Sequence, residues 1–209
     1  NRINVLEPRM WSAEDKEPDP EAPAAFQSGS VLSQHIAFLR DFFRSYKPFT
    51  EAEIATIEIM LGRLYDSRGL RDDTDYSRLS PRDYPILSDL YDQMDAEYQR
   101  VRTGSGGELY TPELLRSACL GLHSMCKGAD AKFFNGHTNI HDTRLITFGA
   151  KDLMEGGKNI KDAMLFNVLS YINHALIAGG NTAGIFEELH VFLSNPVAVS
   201  YIRSAMKRV

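Results

Sequence analysis

The sequence predicts a mainly α-helical protein with a small α/β part. Four amphipathic patterns with short connections lie between residues 30 and 128, which is typical of helices that pack on one another. A strand, a helix and a second strand are predicted between residues 144 and 186, and this order indicates a βαβ unit. The 209 residues, 43% of them hydrophobic, suffice to bury a real core.

Composition narrows the class of protein further. The net charge is −5, whereas a stand-alone nucleic-acid binder is expected to carry a cluster of basic residues. No apolar run reaches the roughly 18 residues that a membrane span needs. Cys119 and Cys126 fall two turns apart on one helical pattern, too far for a disulfide, which favours a reduced, cytoplasmic setting. Because the sequence starts without Met and stops within a helical pattern, we expect an internal piece of a longer protein.

The first two helices follow an extended connection. Residues 1–29 are predicted to be extended because their later part is rich in proline and acidic residues. A helix is predicted from Ser30, with apolar residues at spacings of three and four, and Pro48 ends it. Thr50 and Glu53 form a capping box that predicts the start of the second helix.

The third and fourth helices are separated by a glycine-rich segment. Ser80 and Pro81 predict the N-cap and first residue of the third helix. Residues 104–107 form a flexible linker and not a phosphate-binding loop, because no Lys follows them. Thr111 is predicted to start the fourth helix, which ends near Gly128.

The pattern changes after residue 131. Residues 144–148 and 182–186 are short and apolar, as in buried strands. Between them, residues 159–178 form a helix that is apolar on most sides, which predicts burial against a sheet. Asn195 and Pro196 open a last helix.

The chemistry of the sequence centres on Glu187 and Glu188. Adjacent carboxylates at the carboxyl end of a buried strand lie where open α/β sheets place their ligand site. One carboxylate can hold a Mg²⁺-bound water and the other can orient an attacking water, which is the Walker B arrangement of a nucleotide hydrolase. The competing interpretation is a pair of solvated surface charges.

Several segments together resemble one family. These are NRINVLE at residues 1–7, FNGHTN at 134–139, LITFGAKDL at 145–153 and EELHVFLSNPVAVSYIRSAMKRV at 187–209. In this order they resemble the conjugative-transfer ATPases of type IV secretion systems, the TraC/TraE-like family, most closely over residues 131–209. The resemblance implies that residues 1–29 connect from a nucleotide-binding core, that 30–128 are an all-helical insertion domain, and that 129–209 are the Walker B half of a RecA-like P-loop NTPase core.

The resemblance also implies roles for single residues. Glu187 stands where the family usually has the Asp of the Mg²⁺ site, and Glu188 stands where it has the catalytic Glu that activates water. Arg208 falls in a basic region where Arg approaches a phosphate or acts across a subunit boundary, and the competing interpretation is a solvated charge at a helix end. For His137 and Asn139 we expect a turn-forming, backbone-bonding role.

The implied function belongs to a parent ATPase. It would bind ATP and Mg²⁺, act as a hexamer with other type IV secretion components at the inner face of the membrane, and drive pilus assembly or substrate transfer. The sequence contains no Gly-x-x-x-x-Gly-Lys-Ser/Thr loop, so we expect the chain alone neither to bind ATP tightly nor to hydrolyse it. We also expect it not to bind nucleic acid directly.

Two other functions are compatible with the residues. The chain can be a non-catalytic helical interaction module whose Glu pair is a surface feature, or part of a related DNA-pumping translocase. Glu187 and Glu188 on an exposed helix would favour the module.

Overall fold

The protein is described here by a computed structural model, which describes residues 2–12, 21–27, 29–104, 109–140, 144–149, 157–178, 182–187 and 195–208. Within these ranges the chain forms α-helices and two short 3₁₀ turns. The predicted mainly α-helical class is therefore confirmed. The helices are α1 (Val31–Tyr46), α2 (Glu51–Ser67), α3 (Leu87–Arg102), α4 (Pro112–Cys126), α5 (Ala131–Phe134), α6 (Lys158–Ala178) and α7 (Pro196–Arg208).

The predicted α/β part is not seen in the described ranges. Residues 144–149 and 182–186 have no regular secondary structure, and most of them are exposed. The prediction of buried strands at these residues is therefore wrong. A strand needs a neighbour that pairs with its backbone, and a short apolar run does not specify one.

The chain divides into two compact units, and each contains two segments. The first unit is Asn1–Glu7 with Lys47–His141, and the second is Pro8–Tyr46 with Asp142–Val209. This division differs from the predicted one in the position of α1, which packs against α6 and the 3₁₀ turn Ala24–Phe26. The apolar stripe of α1 predicts which face of the helix is buried. It does not predict which element covers that face, because any apolar surface of matching shape can do so.

In the first unit, α2, α3 and α4 pack on one another, and α5 packs on α4. Their apolar stripes face inward as the spacing predicts. The N-terminal segment joins the same core through Val5 and Leu6, both without exposed surface. The helix residues buried there include Ile57, Met60, Leu61, Leu64, Leu87, Leu90, Met94, Leu115, Ala118, Leu122 and Met125.

The starts of the helices show which local signals were sufficient. The predicted capping box is present: the Thr50 hydroxyl accepts from the Glu53 N–H at 3.2 Å, and the Thr50 N–H donates to the Glu53 carboxylate at 2.8 Å. The Thr111 hydroxyl likewise accepts from the Leu114 N–H at the start of α4. These caps depend only on neighbours in sequence, so the sequence was enough to predict them.

The predicted start of α3 at Ser80 and Pro81 is wrong, because α3 begins at Leu87. Ser80 instead closes a turn, with its N–H and hydroxyl both donating to the Asp83 carboxylate at 2.7 and 2.8 Å. Pro85 disfavours the helical conformation of the residue before it, so a helix cannot run smoothly through this point.

The second unit is built around an aromatic cluster. Trp11 and Tyr201 have ring centroids 4.6 Å apart in an edge-on arrangement, and Phe166 lies 4.7 Å from Tyr201. Phe38 lies 5.0 Å from Phe166, so α1, α6 and α7 meet in this cluster. The Tyr201 hydroxyl donates to the Asp41 carboxylate at 3.0 Å, which satisfies the polar group of an otherwise buried side chain.

Candidate functional site

The acidic pair singled out in the sequence is only partly described by the structure. Glu187 is exposed and lies at a bend after residues 182–186. Glu188 lies outside the described residues. The roles of Glu187 as metal ligand and Glu188 as catalytic base therefore stay predictions.

The segment before Glu187 lies against α6. A Cβ placed on Gly184 would lie 3.6 Å from Ile172 Cγ2 and 3.7 Å from Leu176 Cδ1. The other predicted strand touches the same helix, since the ring centroids of Phe148 and Tyr171 are 5.9 Å apart. Both segments thus lie on α6, although neither is a strand here.

Arg208 is the last residue of α7, and its side chain lies outside the described part of the structure. Asn195 caps this helix as predicted, because its side-chain oxygen accepts from the Val197 N–H at 2.9 Å and from the Ala198 N–H at 3.4 Å. This helix therefore starts where the sequence predicts. A phosphate-binding role for Arg208 stays a prediction.

The FNGHTN segment fastens the N-terminal segment to the first unit. Asn139 makes two bonds to Arg2: its side-chain oxygen accepts from the Arg2 N–H at 2.5 Å, and its own N–H donates to the Arg2 carbonyl at 3.2 Å. We call residues 2–7 and 135–139 together the stem. The expected backbone-bonding role of Asn139 is present in this arrangement.

The Thr138 hydroxyl lies at the middle of the stem. It accepts from the Asn4 N–H at 3.0 Å and donates to the Glu7 carboxylate. The Asn4 side chain is itself fully buried: its Nδ2 donates to the Pro85 carbonyl at 2.9 Å, and its Oδ1 accepts from the Leu6 N–H at 3.1 Å. A single hydroxyl thus joins a backbone donor and a charged acceptor of the same segment.

The remaining residues of the motif attach the stem to α3 and its preceding loop. Asn135 Oδ1 accepts from the Ser88 N–H in the first turn of α3 at 2.9 Å. His137 Nδ1 donates to the Pro81 carbonyl oxygen at 2.9 Å, since a carbonyl oxygen can only accept. Gly136 has a φ of +144°, and a Cβ there would lie 2.8 Å from the Arg2 guanidinium, so this position requires glycine.

The second cluster lies in the second unit and is a row of polar side chains on α6. We call Asn167, Ser170, Asn173 and His174 the polar row. Arg9 is 2% exposed and donates to Asn167 Oδ1 at 3.0 Å and Ser170 Oγ at 3.3 Å. Its guanidinium lies 5.8 Å from the centroid of the Tyr171 ring. The row therefore binds a buried charge on a helix that the sequence predicted to be apolar on most sides.

The same row holds the backbone of Met10. The Met10 N–H donates to His174 Nδ1 at 3.1 Å, and the Met10 carbonyl accepts from Asn173 Nδ2 at 3.2 Å. Burial, and after it the charge of Arg9, lower the pKa of His174 to about 4, so the imidazole is neutral at pH 7 and can accept. This cluster positions residues 9 and 10, and it is formed by contacts within the fold.

Sequence reasoning missed the partners in both clusters. Asn167, Ser170 and His174 recur at helical spacing within an apolar pattern, and this is the signal that could have shown a polar face. Arg2, Asn4 and Glu7 carry no such signal, because their partners lie more than 130 residues away in sequence.

The described residues limit the kinds of site that this part of the chain can form. They contain no group of three or more His, Cys, Asp or Glu side chains able to hold a metal ion. No helix among them combines the length and apolar character needed to cross a membrane. Glu187 therefore has no complete set of metal ligands around it in this part of the chain.

Comparison with known proteins identifies a similar fold. No family model and no curated protein matches the sequence. Among solved structures, the chain is similar to VirB4 of Thermoanaerobacter pseudethanolicus, with a TM-score of 0.80 and 26% sequence identity. The similarity covers 99% of this chain and 71% of that chain. The resemblance to type IV secretion ATPases is thereby confirmed.

Proposed function

From this VirB4-like fold, we propose that the chain is part of an ATPase that powers a type IV secretion system. The observation that carries the proposal is the similarity to VirB4 over 99% of the chain, together with the order of the sequence segments given above. We propose conjugative transfer as the process, with ATP hydrolysis coupled to pilus assembly or to substrate translocation. The parent enzyme acts as a hexamer with other secretion components at the inner face of the membrane.

In the proposed enzyme three residues of this chain serve the nucleotide. Glu187 would hold a Mg²⁺-bound water through its carboxylate, Glu188 would activate the attacking water, and Arg208 would bind phosphate oxygens. Glu187 is exposed here, and the described residues contain no group of three or more His, Cys, Asp or Glu side chains that could complete a metal site. A phosphate-binding loop is also absent from the sequence, and the active enzyme must supply it from elsewhere.

The catalytic role is tested by Glu188→Gln in the parent enzyme, which removes the base and keeps the size of the side chain. We expect ATP hydrolysis to fall by at least about 100-fold while ATP binding is kept, as for loss of a general base. Glu113→Gln is the matched control, because Glu113 is exposed in the first turn of α4 and should change nothing. Unchanged hydrolysis in Glu188→Gln would exclude the catalytic assignment.

The isolated chain offers a second test. Titration of this chain with ATP and Mg²⁺ by calorimetry should show no binding at micromolar concentration, because nothing in the sequence cradles the β- and γ-phosphates. Binding of micromolar strength would mean that the chain contains a nucleotide site that the sequence does not show.

One observation favours a second function. Residues 182–187 are exposed, and the Ile185 side chain is 90% exposed, as expected of a surface feature in a non-catalytic interaction module. The ATPase and the interaction module predict different results for Glu188→Gln. The ATPase should lose hydrolysis, whereas a complex that contains the module should keep the activity of its other components. A DNA-pumping translocase would also lose hydrolysis, and it is distinguished by stimulation of the ATPase rate with double-stranded DNA.

A further inference from the structure

The stem depends on five consecutive residues, 135–139. Asn135, His137, Thr138 and Asn139 each use a side chain to bind another segment, and Gly136 leaves the space that the Arg2 side chain occupies. The bonds reach the N-terminal segment, the loop before α3 and the first turn of α3.

Several hydrogen bonds of the stem meet at one residue, Asn4, and for this reason they depend on one another. Asn4 is bound at its backbone N–H by Thr138, at Nδ2 by the Pro85 carbonyl and at Oδ1 by the Leu6 N–H. If Asn4 moves, all three bonds are lost together. Buried polar groups linked in this way strengthen one another, and each is costly when left without a partner.

Thr138 is the residue on which the closed stem depends most. Its oxygen accepts from Asn4 while its proton goes to Glu7, so the two bonds need a group that both donates and accepts. Only Ser has a hydroxyl of similar position, and valine has the shape of threonine without the hydroxyl. This gives a closely matched pair of substitutions.

We propose that the stem is a conformational latch, which opens and closes as one cooperative element while α2, α3 and α4 stay folded. The chain passes from the first unit to the second after Glu7 and again after His141, soon after each half of the stem. The closed latch therefore fixes to the first unit the residues that precede these two connections. It requires no nucleotide, and so it does not depend on the proposed ATPase function.

The test is residue-resolved hydrogen exchange of the full chain with Thr138→Val and Thr138→Ser. In Thr138→Val, the amides of Asn4, Leu6 and Asn139 should exchange about tenfold faster, all by a similar factor, as expected for loss of one or two hydrogen bonds. In Thr138→Ser, the rates should stay within about twofold of the unsubstituted chain. The Leu122 amide in α4 is the internal control and should not change.

A second variant perturbs the stem at a different residue. Gly136→Ala places a Cβ 2.8 Å from the Arg2 guanidinium at a φ of +144°, so it should open the stem without removing any hydrogen-bonding group. The same amides should accelerate together. Gly62→Ala is the matched control, because a Cβ at Gly62 in α2 would meet nothing within 4 Å.

The outcomes separate the latch from simpler explanations. If only the Asn4 amide changes in Thr138→Val, the contacts are independent and the proposal is overturned. It is also overturned if the Leu122 amide accelerates by the same factor, because the whole unit is then destabilised. If Thr138→Val does not fold, Gly136→Ala decides: joint acceleration of the Asn4 and Asn139 amides supports the latch, and acceleration of one alone rejects it.

Discussion

The network around Glu97 allows a quantitative prediction of stability. Its carboxylate accepts from Arg100 through two nitrogens at 2.7 Å and from Arg63 at 2.8 Å, and the Tyr110 hydroxyl also donates to it. The contacts join α2, α3 and the segment before α4. The Glu97 side chain is 11% exposed, whereas both arginine side chains are 43% exposed. Replacing Glu97 with Gln keeps the shape and removes the charge.

The size of the effect follows from the pKa. The hydrogen bonds from Arg100, followed by those from Tyr110 and Arg63, outweigh the opposing effect of burial and lower the pKa of Glu97 from 4.5 to about 2. At about 1.4 kcal/mol per pKa unit, this corresponds to an upper bound of roughly 3–4 kcal/mol. Because the arginines are partly exposed and screened by water, we expect Glu97→Gln to lower the free energy of unfolding by about 1–2 kcal/mol at pH 7.

The dependence on pH has a definite sign. The folded state has the lower pKa, so the stabilisation is fully present above the unfolded pKa near 4.5 and is lost as the pH falls toward 2. The difference between the unsubstituted chain and Glu97→Gln should therefore be constant from pH 7 to about pH 5.5 and become smaller below pH 4.5.

The assay is urea unfolding monitored by hydrogen exchange of amides in α3, with Asp95→Asn at an exposed position of the same helix as the control. Trp11, the single tryptophan, lies in the second unit, and its fluorescence transition should not shift. An equal loss of stability at pH 7 and pH 3.5 would refute the electrostatic explanation. No loss at either pH would show that the network contributes nothing net.

Three further predictions concern a cap, a buried hydroxyl and the thiols. Thr50→Ala removes the side-chain half of the capping box and should cost about 1 kcal/mol of unfolding free energy, measured by urea denaturation. Tyr201→Phe removes the hydroxyl that donates to Asp41 Oδ2, while Arg44 still donates to Oδ1, and should cost about 1–2 kcal/mol, seen as an earlier tryptophan fluorescence transition. Burial raises the pKa of Cys119 to about 11 and that of Cys126 to about 12, so a thiol reagent at pH 8 should label them only after unfolding. Rapid labelling of either thiol in the folded chain would contradict the burial.

Short-range signals gave the helices of the fold. The capping box at Thr50 and Glu53 and the cap at Thr111 are present as predicted, because both partners of each contact lie within one helical turn. The start of α3 was misplaced, since Ser80 and Asp83 use the same cap chemistry to close a turn. Local chemistry therefore indicates that Ser80 bonds to nearby backbone or side chains, but not whether that bond starts a helix or closes a turn.

Contacts between distant segments could not be predicted in the same way. The FNGHTN segment is part of the family resemblance, and the sequence predicts a backbone-bonding role for Asn139. Its bonds to Arg2 required the fold, because they join residues 137 apart in sequence. The polar row on α6 is a similar case, since Asn167 has a role only when Arg9 is brought beside it.

The sequence by itself determined the helical class and the positions of most caps, because periodicity and capping act within a few residues. The order of its segments also determined the likeness to type IV secretion ATPases. The tertiary structure decided that α1 packs against α6, that the N-terminal segment is fastened by Thr138 and Asn139, and that residues 182–186 are exposed and without regular secondary structure instead of forming a buried strand. The physical reason is that an apolar stripe or a polar side chain specifies the kind of partner it needs, while only the complete fold determines which distant residue meets that need.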